Sequence, residues 1–97
     1  MEKKPHKWKF EAFITEVNTN FYLHGRDHYP VFKALQGVHF TMYAEDKKEV
    51  AEKVAEIISA ATGESITHAP EPYLSSVLEW TFDTKNLDIK FGIEKMS

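Results

Sequence analysis

Residues 38–63 read "VHFTMYAEDKKEVAEKVAEIISAATG" and hold two periodicities back to back. In the first seven, Val38, Phe40, Met42 and Ala44 alternate with His39, Thr41 and Tyr43, the period-two pattern of a strand with one apolar face. After Glu45 the spacing changes. Val50, Val54, Ile57, Ile58 and Ala61 fall at i, i+4, i+7, i+8 and i+11, which gathers them on one side of a helix. Lys47, Lys48, Glu52, Lys53 and Glu56 take the other side. Asp46 stands at the N-cap position with Glu49 as its capping-box partner, and Gly63 suits the residue that closes a helix. The pattern predicts a strand that feeds a helix over 47–62.

Three further runs alternate in the same way. In "HKWKFEAFITEV" (6–17), Trp8, Phe10, Ala12 and Ile14 share a face, and Lys7, Lys9, Glu11, Phe13 and Thr15 share the other. In "SVLEWTFD" (76–83), Leu78, Trp80 and Phe82 alternate with Val77, Glu79, Thr81 and Asp83. In "LDIKFGIEK" (87–95), Leu87, Ile89, Phe91 and Ile93 alternate with Asp88, Lys90, Gly92 and Glu94. The polar "DTKN" between the last two predicts an antiparallel hairpin. Four strands with one apolar face each, and one helix with an apolar stripe, imply an α+β fold. It is a four-stranded, mostly antiparallel sheet with the helix packed on one face. A second, short helix is expected at about 30–36, where Pro30 suits the first turn and Gly37 the stop. Pro70 and Pro72 exclude a regular helix from "GESITHAPEPYLSS" (63–76), which reads as the longest irregular connection.

Ninety-seven residues make one domain, and a chain of this size buries roughly 60–65% of its unfolded surface. The aromatic share is 13%, enough large side chains to fill a small core. With no cysteine, disulfides, Cys-based zinc sites and thiol nucleophiles are excluded, and a reducing, cytoplasmic compartment fits. No apolar run approaches the length of a membrane span, and "MEKKPHKWKF" is not followed by the apolar core of a secretory signal. Net charge is −3, but residues 1–9 hold four lysines against one glutamate, so residues 1–6 read as a basic arm on an otherwise acidic chain. That balance argues against a nucleic-acid binder, which needs a basic face.

"FYLHGRDHYP", residues 21–30, concentrates polar chemistry. His24 and His28 have the i, i+4 spacing of metal ligands on a helix, but Gly25 and Pro30 place them in a loop, and no metal is expected there. Two readings remain. Asp27 caps the following short helix, with Gly25 and Arg26 making a turn. Alternatively, His24, Arg26, His28 and Lys33 gather beside a helix N-terminus to recognise a small anionic ligand or nucleotide, with the chain acting as a homodimer. Catalysis finds no motif: no serine has a G-x-S-x-G context, the four glycines are scattered, and no cofactor is expected.

The face of the sheet away from the helix would present Phe13, His39, Thr41 and Tyr43, with Val77, Glu79, Thr81, Asp88 and Lys90. Aromatics amid polar neighbours suit a protein partner or a second copy of the chain. Tyr73, in the proline-stiffened "APEPYLSS", is a further contact candidate.

The run "VHFTMYAEDKKEVAEKVAEIISAATGESI" resembles a pattern found in small phage and mobile-element accessory proteins, in which an F-x-h-x-A strand (h apolar) leads through an acidic cap into an Ala/Glu/Lys-rich helix. It covers about a third of the chain. The resemblance implies a class of short proteins, some of which bind and block host proteins, including defence complexes. The expectation is therefore a non-catalytic module that binds a larger protein through Phe13, His39, Thr41, Tyr43 and Tyr73.

Overall fold

The computed structural model describes residues 7–19, 34–73 and 79–96. Its element order is β1 (Trp8–Thr19), β2 (His39–Ala44), α1 (Lys47–Thr62), β3 (Ile66–Pro72), β4 (Glu79–Thr84) and β5 (Leu87–Lys95). The five strands form one antiparallel sheet in the order β2-β1-β5-β4-β3. The helix therefore leaves one edge strand and returns at the opposite edge. Sixteen residues reach about 24 Å. Five strands are about 19 Å wide, so the helix is long enough to cross the face from edge to edge.

The helix begins and ends where its caps dictate. Asp46 is extended and its carboxylate accepts the Glu49 N–H at 2.9 Å, while Glu49 reaches back to the Glu45 N–H at 2.8 Å. Gly63 sits at φ 76°, and its N–H closes on the Ser59 carbonyl at 2.8 Å. The buried stripe is Val50, Ala51, Val54, Ala55 and Ile58. Ile57 and Ala61, expected on that stripe, are exposed. The stripe turns toward Ala51 and Ala55 because methyl side chains let the helix axis approach the sheet.

The expected alternation holds along β2, β4 and β5, and along β1 as far as Ile14. There the register against β5 steps from Ile14↔Phe91 to Glu16↔Lys90, leaving Thr15 as the extra residue of a bulge. The bulge shifts the phase by one. Val17 is thereby buried with Phe10, Ala12 and Ile14 rather than turned outward. These residues, with Phe82, Leu87, Ile89, Phe91 and Ile93, meet the helix stripe in a single core.

Two expectations are corrected. The sheet has five strands, not four, because Ile66–Pro72 pairs with β4 inside the segment read as irregular. Proline is tolerated there because β3 is an edge strand, and two register shifts accommodate the kinks. The described part of the expected short helix, residues 34–37, is a turn. It docks on β1: the Gly37 N–H donates to the Ile14 carbonyl at 2.8 Å, and the Val17 N–H to Gln36 Oε1 at 3.2 Å. Residues 1–6 and 30–33 lie outside the described residues. Among the described residues no helix is long and apolar enough to cross a membrane.

Candidate functional site

The helix covers one face of the sheet, so the other face can be assembled row by row from the registers. One row runs His39, Phe13, Gly92, Glu79 and Tyr73, the last joined by its N–H to the Glu79 carbonyl at 2.9 Å. The next holds Thr41, Glu11 and Glu94, and the third Tyr43, Lys9 and Met96. In the other direction lie Glu16, Lys90, Thr81 and Glu71, then Asn18, Asp88, Asp83 and His68.

Phe13 does not stand up from this face. Its ring lies on the Gly92 backbone, so close that a Cβ on residue 92 would sit 2.5 Å from the ring tip. A side chain at 92 would have to push the Phe13 ring aside, so the constraint on this position is space rather than φ. On its other side Phe13 stacks with His39, centroids 5.9 Å apart, and His39 Nδ1 meets Glu11 Oε2 at 2.9 Å. Phe13 is thus half-buried, and His39 and Thr41 are exposed beside it. Tyr43 is 59% exposed and Met96 42%, two large apolar surfaces in one row on either side of Lys9.

Tyr73 lies at the far end of the face, about 19 Å from His39 by strand spacing. It is half-buried under Lys90, whose ammonium is 4.2 Å from the ring centroid. Lys90 also pairs with Glu16 at 3.2 Å. Hydrogen bonding to Tyr73, and then to Glu16, keeps Lys90 charged above the usual lysine range. The structure therefore brings Phe13, His39, Thr41 and Tyr43 together at one side of the face and sets Tyr73 apart. His24, Arg26, His28 and Lys33 lie outside the described residues, so the expected anion cluster has no described geometry.

A second chemical feature escaped the sequence reading. Asp83 and Asp88 stand directly opposite each other where β4 and β5 approach their turn. With His68, whose Nδ1 is 3.4 Å from Asp83, and with Asn18, Lys85 and Asn86, they line a cleft of about 390 Å³. The two carboxyls share a hydrogen bond. That bond, then burial, then the Asp83 charge push Asp88 up to about 6, against the opposing charge of Lys90. The observed turn is centred on residues 85–86, one position past the centre of "DTKN" (83–86), and this sets residues 83 and 88 opposite each other. Among the described residues no group of His, Asp and Glu is arranged to hold a metal ion.

Asp88 makes a pH prediction with a definite sign. Its folded pKa lies above its ordinary 3.8, so folding takes up a proton between about pH 4 and 6. Stability contributed by the protonated pair is complete below about pH 4 and lost as pH rises through about 6. For so exposed a group, solvent screening holds the change to roughly 1 kcal/mol. Asp88→Asn is expected to remove this slope from a urea-denaturation series at pH 4–7. An unchanged slope would show that the pair does not share its proton.

Comparison with family models, with curated proteins and with solved structures finds no match to this chain.

Proposed function

We propose that the chain is a non-catalytic binding module that works by occupying a surface of a larger protein partner, in the manner of a small inhibitor. The observation that carries this reading is the side of the open face built from Phe13, His39, Thr41, Tyr43 and Met96. It combines exposed apolar area with rigid support, since Phe13 is seated on Gly92 and clamps His39 from below. Tyrosine and methionine are enriched at the centres of protein interfaces, and a rigid aromatic anchor loses little conformational entropy on binding. Thr41, Glu11, Lys9 and Glu94 are interspersed with the anchors and would supply polar contacts between them.

Affinity capture from the cell in which the protein occurs, with Tyr43→Ala and His39→Ala compared against Lys53→Ala on the helix, tests the reading. Central anchors each carry about 1–2 kcal/mol, so each open-face substitution is expected to reduce capture of a specific partner by about 5–30-fold. Lys53→Ala should leave it unchanged. Equal capture by all three variants would rule the face out.

A further inference from the structure

The two edges of the sheet are built differently. β3 carries Pro70 and Pro72 and two register shifts, devices that blunt an edge against pairing. β2 has none of them. Its six residues, His39–Ala44, contain no proline, lysine, arginine or carboxylate, and its register with β1 runs without a break. Among the described residues no strand lies beyond it.

The backbone directions on β2 follow from two bonds. The Ile14 N–H donates to Val38 O at 3.0 Å, and the Met96 N–H donates to Lys9 O at 2.8 Å. By antiparallel alternation, the even residues of β1 bond to β2 and the odd ones to β5. Phe40, Met42 and Ala44 therefore spend their main-chain groups on β1, and those of His39, Thr41 and Tyr43 point away from the sheet.

We infer that β2 is the edge through which two copies of this chain pair, antiparallel, about a two-fold axis at Thr41. That register sets Thr41 against Thr41 of the second copy and His39 against its Tyr43, so the outward groups complete up to about six main-chain bonds. A register centred on Met42 would bring only Thr41 and Tyr43 into such pairs, because the Glu45 N–H is already bound to Glu49. On the helix side, half-buried Phe40 meets Met42 of the second copy, a favourable sulfur–aromatic contact. No like charges are opposed. The nearest repeated carboxylate, Glu11, is separated from its counterpart by three strand spacings, about 14 Å, beyond the Debye length in physiological salt. Six strand residues a side fall short of the roughly 20–30 of a standard interface, so the dimer is weak and depends on concentration. It joins the two open faces edge to edge into one surface. The pairing rests on the β2 backbone and stands whether or not that surface binds a partner.

The absence of cysteine makes a clean test. In the inferred register the two Thr41 Cα atoms are about 5.5 Å apart, within disulfide range. The two Tyr43 Cα atoms are about 14 Å apart. Under mild oxidation at high concentration, Thr41→Cys is expected to crosslink at least tenfold more than Tyr43→Cys. In sedimentation velocity the unmodified chain should shift from monomer to dimer as concentration rises. Thr41→Lys, which opposes two ammonium groups at an exposed position, should remain monomeric with an unchanged circular dichroism spectrum. Equal crosslinking at 41 and 43, or a monomer at every concentration, would overturn the inference.

Discussion

Phe91→Ala is expected to destabilise the protein by about 3–5 kcal/mol, the cost of truncating a fully buried aromatic. Phe91 is wholly buried on β5, the central strand, and meets Phe82 edge-on with ring centroids 5.9 Å apart. It is flanked in register by Ile14 on β1 and Trp80 on β4, so no neighbour can collapse into the space without breaking strand pairing. A domain of this size has roughly 5–10 kcal/mol of stability in total, so the variant should be close to unfolded at 37 °C. Phe91→Leu keeps most of the volume and should cost about 1–2 kcal/mol. Urea denaturation measures both. A loss under 1 kcal/mol for the alanine variant would mean that the core is not packed as described.

The second large effect is expected at Glu64, just beyond the helix. Its Oε1 accepts the Thr84 hydroxyl and the Asn86 N–H, the latter at 3.2 Å, and its Oε2 accepts Asn86 Nδ2 at 2.8 Å. Thr84, itself buried, accepts the Leu87 N–H at 3.0 Å. One carboxylate thus fixes the turn between β4 and β5 to the end of the helix. Glu64→Ala leaves three donors without that acceptor and should cost about 2–3 kcal/mol. Glu64→Gln retains one acceptor oxygen but turns an amide N–H₂ toward a donor, and should cost about half as much.

The pH dependence of Glu64 has the opposite sign to that of Asp88. Burial pushes its pKa up, but the bonds from Thr84 and Asn86, aided by the Lys85 charge, outweigh burial and hold it below the usual 4.5. Its stabilisation is present above about pH 4.5 and is lost as pH falls through the lowered value. An acid-unfolding midpoint that moves upward in Glu64→Gln is the expected result. An unmoved midpoint would contradict the network.

The helix was legible to its end residues because capping and apolar spacing agreed over 47–62, and strand alternation fixed which residues face inward. What the sequence did not disclose has a common cause. β3 is an edge strand exposed along nearly all its length, so it carries no alternation to read, and its two prolines mimic a loop. Phase also failed locally at Thr15, where a bulge turned Val17 inward. The open-face aromatics could be read from alternation. The seating of Phe13 on Gly92, the opposition of Asp83 and Asp88, and the reach of Glu64 to Asn86 could not. Each depends on which residues lie side by side across strands or turns, and single-strand periodicity is silent on register.

Hydroxyl-radical footprinting of the chain, alone and saturated with its captured partner, reads which face the partner covers, because the residues at issue are reactive side chains. Tyr43 and Met96 on the open face and Ile57 on the outer side of the helix are all more than 40% exposed. Binding through the open face should slow oxidation of Tyr43 and Met96 several-fold and leave Ile57 unchanged. Protection of Ile57, with Tyr43 and Met96 still reacting at their free rates, would put the partner on the helix and rule out the open face.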